Sequence, residues 1–207
     1  MVVTTMPDTR RNQPAPLQGS LPGFEAPGKP TDRLFLALFP GADDAARLSR
    51  QASALREQFG LTGKLLEPER LHVTLHHLGD HVGLREDIVD AARRAADTVR
   101  LPPVEVAFDQ AMSFTTHRGT HPLVLCSGQP HEALRQLWQK LDLALQRAAC
   151  PKPRSGTFTP HMTLLYDRER TPVQAVEPLA WTAREFVLVH SLLGQTKHIV
   201  LGRWPLR

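Results

Sequence analysis

Apolar residues fall along this chain in short bursts that switch between strand-like and helix-like spacing. The run Arg33-Leu-Phe-Leu-Ala-Leu-Phe39, closed by Pro40-Gly41, predicts a buried strand. From Asp43 to Phe59 the apolar positions Ala46, Leu48, Ala52, Leu55 and Phe59 recur at helical spacing, and Gly60 is placed to stop that helix. A short strand over 64–66, a turn at Pro68-Glu69 and a strand from Leu71 to Leu78 ended by Gly79-Asp80 follow. Leu84 to Val99 reads as a second helix closed by Pro102-Pro103, and Val104 to Phe108 alternates like a strand. His121 to Cys126 supplies another strand. His131 to Ala149 carries the strongest helical pattern, with Leu134, Leu137, Trp138, Leu141 and Leu145 on one side. Phe158 to Leu165, Arg184 to Leu193 and His198 to Trp204 complete the expected strands.

Mixed strands with short connections predict an α+β fold rather than a doubly wound parallel sheet. The elements recur in two similar batches, which hints at an internal duplication of about 85 to 90 residues. Residues 1–30 are expected to form a flexible extension, because Pro7, Pro14, Pro16, Pro22, Pro27 and Pro30 interrupt any apolar period. That leaves 31–207 as a single domain. A 41% hydrophobic and 22% charged composition is a globular balance and excludes a wholly disordered chain. No apolar run approaches the ~20 residues of a membrane-spanning helix, and the first thirty residues lack the pattern of a secretory signal. A cytoplasmic monomer is the expectation. The net charge of +4, with ten histidines besides, is compatible with a phosphate-bearing partner. Cys126 and Cys150 lack metal or redox spacing and read as reduced structural residues.

The chemistry lies in a repeated tetrad, His72-Val73-Thr74-Leu75 and, 89 positions on, His161-Met162-Thr163-Leu164. In a strand, residues i and i+2 share a face, so each imidazole sits beside its own hydroxyl while the apolar partners face the core. One such tetrad is a weak signal, usually just a half-buried strand. Two in equivalent places, brought together across a pseudo-twofold axis, would converge two imidazoles and two hydroxyls on one cavity. That set suits a phosphodiester. One neutral imidazole takes a proton from water while a protonated one donates to the departing oxygen, and the hydroxyls bind the non-bridging oxygens. No metal or cofactor is needed, and a cyclic phosphate is a natural substrate because the leaving oxygen stays tethered.

The stretches Arg33-Leu-Phe-Leu-Ala-Leu38, Pro68-Glu-Arg-Leu-His-Val-Thr-Leu-His-His-Leu-Gly79 and Phe158-Thr-Pro-His-Met-Thr-Leu-Leu165 resemble the hallmark segments of the two-histidine (2H) phosphoesterases. Within them the chain is most similar to the RNA 2',3'-cyclic phosphodiesterases, also called the 2'-5' RNA ligase family. The resemblance spans roughly residues 31 to 205. It implies a bilobal fold, with two pseudo-symmetric lobes of antiparallel sheet, helices outside and a central cleft. It also implies hydrolysis of a 2',3'-cyclic phosphate, on an RNA end or a small cyclic nucleotide, to a 2'-phosphate. Reversal would give 2'-5' ligation. By the same resemblance His72 is the acid toward the 3' oxygen and His161 the base for water, an assignment that the pseudo-symmetry leaves reversible, and Thr74 and Thr163 bind phosphate. The competing reading is a 2H-like module that binds nucleotide or RNA without turnover.

Where that family carries Arg then Phe after the first tetrad, this chain has His76 and His77. Where it carries a basic residue after the second, Tyr166 stands. Simple alternation puts His76 on the face of His72 and Thr74, in reach of substrate, and His77 on the other. His76 is therefore a candidate substrate contact, with a cleft-edge histidine lacking a chemical role as the simpler reading, and Tyr166 is a candidate by its place after the second tetrad. A metal held by His72 and His76 is disfavoured, since their Cα atoms would lie about 13 Å apart in a strand. Lys152 and Arg154 could attract an RNA backbone, though a solvated basic loop explains them equally well. Phe35, Phe158 and Trp138 are candidate base-stacking surfaces, with core packing the simpler role for Phe35 and Trp138. His117, His121, His131, His190 and His198 show no partner pattern.

Overall fold

The computed structural model describes residues 28–116, 119–151 and 157–207. The expected extension lies outside the described residues apart from 28–30, as do His117, Lys152 and Arg154. Among the described residues, twelve elements fold as eight strands, three helices and one 3-10 turn. In chain order these are β1 (Asp32–Leu38), α1 (Ala42–Gln58), the 3-10 turn Pro68–Arg70, β2 (Val73–His81), α2 (Glu86–Ala96), β3 (Val104–Ser113), β4 (His121–Cys126), α3 (Glu132–Arg147), β5 (Met162–Asp167), β6 (Gln174–Ala183), β7 (Glu185–Leu192) and β8 (Lys197–Pro205).

The strands form one antiparallel sheet in the order β6-β3-β4-β5-β2-β1-β7-β8. Outward from the centre, each half runs from a tetrad strand through the strand just before it in sequence: β2-β1-β7-β8 on one side, β5-β4-β3-β6 on the other. The central strands β2 and β5 pair at one position, Val73 opposite Met162. This places the two tetrads side by side and antiparallel at the middle of the sheet.

Alternation along β1 sorts the two faces. Leu34, Leu36 and Leu38 join the main core with Leu48, Ala52 and Leu55 of α1, Ile88 and Ala92 of α2, and Leu134, Leu137 and Leu141 of α3. Phe35 and Ala37 point the opposite way and pack with Val187, Val189 and Phe39 in a small separate cluster. Each fully shielded Leu or Phe contributes roughly 1.5–3 kcal/mol by removal from water, so the helix-covered face holds the sheet together and leaves the other face free to carry a cleft. In α1 the buried alanine is Ala45, not Ala46, because the stripe Ala45, Leu48, Ala52, Leu55 keeps the 3–4 spacing of one helix face. Gly60, at φ +64°, ends α1 as expected, its N–H donating to the Glu57 carbonyl.

Two elements depart from the sequence expectation. The 64–66 segment contributes only a single bridge, Leu65 opposite Leu165, and is tied to β5 by the buried Asp167 carboxylate, which accepts the Thr62 and Gly63 N–H groups at 2.7 and 2.6 Å. β6 has no counterpart in the hydrophobic pattern. It is an edge strand with most of its residues exposed or half-buried, and Pro178 falls in the irregular stretch where its pairing with β3 slips.

Candidate active site

A cleft of about 530 Å³ opens on the helix-free face over the central strands. His72, Thr74, His161, Thr163 and Tyr166 all line it, together with Arg33, Phe35, Arg70, His77 and His198. Four of the six residues singled out from sequence are the tetrad histidines and threonines, and both tetrads present their polar members to this one space.

The two imidazoles are oriented alike. Nδ1 of His72 lies 2.6 Å from the carbonyl of Arg70, and Nδ1 of His161 lies 2.8 Å from the carbonyl of Thr159. A carbonyl only accepts, so Nδ1 carries a proton in both rings, and the neutral form of either ring keeps its lone pair on Nε2. Each histidine is thus fixed by the backbone carbonyl two residues before it, although the first is entered from the 3-10 turn Pro68–Arg70 and the second directly after Pro160.

Their surroundings differ. The His72 ring stacks on Phe35 (5.0 Å between centroids) and Phe39 (5.3 Å), and meets the His198 ring edge-on at 5.5 Å. His161 has an edge contact with Phe114 at 4.9 Å. Burial, reinforced by the charges of Arg70, His161 and Arg33 and partly offset by the Arg70 carbonyl, pushes the pKa of His72 down to about 4. His198 is likewise pushed down to about 4 by burial and by the charges of His72, Arg70 and Arg33. Both rings are neutral at pH 7.

His76 is not in the cleft, a correction to the alternation argument. It is 2% exposed, its ring stacks on Trp138 at 5.2 Å, and its Nε2–H donates to the Trp138 carbonyl at 2.9 Å on the helix side. The reason is a β-bulge. Leu36 pairs with His76 but Ala37 pairs with Thr74, so Leu75 is an extra residue and the alternation inverts after it. His77 consequently joins the cleft. The second tetrad repeats the device: Leu123 pairs with Leu165 but Val124 with Thr163, so Leu164 is extra and Tyr166 turns into the cleft beside Thr163. A second slip between Leu34 and Phe35 is absorbed at Gly79, whose φ of +124° suits glycine and lets β2 run on to His81.

Two arginines line the cleft, and neither was singled out from sequence. Arg33 is engaged by Asp80 through two bonds of 2.7 Å, and His77 Nε2 donates to the same carboxylate at 2.9 Å. Arg33 beside Asp80 holds that carboxyl well below the usual range. Arg70 has no carboxylate partner among the described residues, and its Nε is buried without a hydrogen bond. Position offered a signal for both: Arg33 alternates with Phe35 on β1, and Arg70 lies two residues before His72. His198 could not be read because its neighbour, the His72 ring, is 126 positions away in sequence, just before β2. His190 belongs elsewhere, bonded through Nε2 to the buried Asp32 carboxylate at 2.5 Å. Among the described residues no group of three or more His, Cys, Asp or Glu is placed to hold a metal ion.

Paired His-x-Thr strands meeting at the seam of a two-halved antiparallel sheet define the class of two-histidine phosphoesterases. The family model described as the 2'-5' RNA ligase superfamily matches residues 43–195, and the chain belongs to that superfamily. Membership supports phosphoesterase-type activity. The fold is similar to that of Escherichia coli LigT complexed with ATP, with 24% identity over 86% of this chain and 99% of the other and a TM-score of 0.66. LigT complexed with NADP+ gives 25% identity over 86% and 99% of the two chains, with a TM-score of 0.64. TT0787 of Thermus thermophilus gives 24% over 84% and 98%, with a TM-score of 0.62. No curated protein matches in sequence.

Proposed function

We propose that this cleft hydrolyses the 2',3'-cyclic phosphate of a ribonucleotide or RNA end to a 2'-phosphate without a metal ion. The observation that carries the reading is the matched orientation of His72 and His161, each with Nδ1 held by a backbone carbonyl, in one cleft with Thr74 and Thr163. In the forward reaction His161 Nε2 removes a proton from water, whose oxygen forms a new bond to phosphorus as the P–O3' bond breaks. His72 delivers a proton to O3'. The threonine hydroxyls donate to the non-bridging oxygens as charge gathers there. His72 is neutral in the empty cleft, so its proton arrives with the substrate: the phosphate anion offsets the burial and the cationic neighbours that hold its pKa low.

Incubation of the purified protein with adenosine 2',3'-cyclic phosphate in the presence of a chelator tests this. The expected product is the 2'-phosphate, and His72→Ala and His161→Ala each lower turnover by ~10²-fold or more. Tight binding without product would instead support a non-catalytic nucleotide-binding module. Chelator-sensitive turnover would refute the metal-free chemistry.

A further inference from the structure

The His72 end of the cleft holds two polar atoms that the protein itself does not satisfy. Arg70 Nε and His198 Nδ1 are each buried with no hydrogen-bond partner among the described residues, and both side chains line the cleft. They flank the same ring: His198 meets His72 edge-on, and Arg70 precedes it by two residues. Native proteins rarely leave such atoms unpaired, and a guanidinium kept from a counter-charge is less favourable still. Arg33, by contrast, is already matched by Asp80. The reacting phosphate has its own donors in the two imidazoles and two threonines, and a space of about 530 Å³ admits a whole nucleotide rather than one phosphate.

We propose that Arg70 and His198 build a second anion subsite that receives the phosphate on the 5' side of the terminal nucleotide while His72 and His161 act on its cyclic phosphate. The inference rests on the cyclic-phosphate reading above and narrows its substrate class to nucleotides and RNA ends bearing that second phosphate. Arginine's planar fork suits a phosphate edge, and neutral His198 can donate Nδ1–H to it without carrying charge.

The test compares kcat/KM for adenosine 2',3'-cyclic phosphate, its 5'-phosphorylated form, and a diadenylate ending in the cyclic phosphate. The wild-type protein is expected to prefer the two phosphate-bearing substrates by about 10-fold or more, chiefly through KM, with the preference shrinking as salt rises. Arg70→Ala brings that ratio close to one, Arg70→Lys restores part of it, and His198→Phe gives an intermediate ratio; circular dichroism verifies folding. A wild-type ratio near one overturns the inference. So does an Arg70→Ala variant that loses the same factor on all three substrates, which would put Arg70 on the reacting phosphate. If none of the substrates turns over, the hydrolytic reading fails, and calorimetry with adenosine 2',5'-bisphosphate against adenosine 2'-monophosphate decides the subsite alone. An Arg70-dependent preference for the bisphosphate upholds it, and equal affinities sink it.

Discussion

Replacing His72 by Phe removes a titrating ring from an aromatic stack while keeping a ring in its place against Phe35 and Phe39. In the unfolded chain this imidazole takes a proton near pH 6.5; in the folded protein it resists until about pH 4. Because the folded pKa is the lower one, the unfolded state binds more protons between those values, and folding stability falls as the pH drops from about 6.5 toward 4. The full difference corresponds to roughly 3 kcal/mol, of which about 2 kcal/mol is lost between pH 7 and pH 5. Partial exposure of the ring reduces the expected loss to about 1–2 kcal/mol. His198 adds to the effect, since the His72 charge is part of what depresses it. Urea unfolding of wild type and His72→Phe at pH 7, 6 and 5 reads the difference directly. The variant is expected to lose less stability on acidification than wild type by at least about 1 kcal/mol. The lost Nδ1 bond to the Arg70 carbonyl shifts its curve by a pH-independent amount. Equal acid sensitivity in the two proteins would refute the argument that burial and neighbouring cations hold His72 neutral.

If His72 gains its proton with the anion, as proposed, binding of adenosine 2'-monophosphate should take up protons near pH 7, seen as a dependence of the calorimetric heat on buffer ionisation, and His72→Asn should diminish that uptake. His76→Leu should destabilise by about 1–2 kcal/mol in urea, through the lost bond to the Trp138 carbonyl, with little change in KM, whereas His77→Ala should alter KM with little change in stability. The reverse pattern would contradict the bulge at Leu75. Gly63→Ala would put a Cβ 2.2 Å from the Tyr166 carbonyl oxygen, so the segment must lift off β5 and strain its bonds to Asp167. A cost of about 1–3 kcal/mol and a Tm lowered by several degrees are expected in a thermal melt.

How much of this was legible in the sequence follows from the range of the signals. β1, α1, α2, α3 and the closing strands are local patterns of period two or 3.6, and they emerge within a few residues of expectation. β6 was invisible because an edge strand with Pro178 and an exposed face has little hydrophobic period to read. The repeated His-x-Thr spacing located the cleft, since each tetrad is a local pattern that runs into the start of one strand. What escaped it was set by pairing between strands. Whether β2 bulges at Leu75 depends on its partner β1, so His76 and His77 exchanged faces. The second bulge did leave a trace, the consecutive buried Leu164 and Leu165 that break alternation. Arg70 and His198 became conspicuous only once the buried atoms around them could be counted.

The rung between Val73 and Met162 pairs the central strands of two halves that repeat the same bulged strand, yet among the described residues only the His72 half surrounds its imidazole with a second histidine and an unmatched guanidinium. Two identical subunits related by a strict twofold axis would have to give both rings one common acidity. Linking the halves in one polypeptide lifts that constraint, so the two rings, donor and acceptor in the proposed reaction, can be tuned separately while the geometry between them stays nearly symmetric.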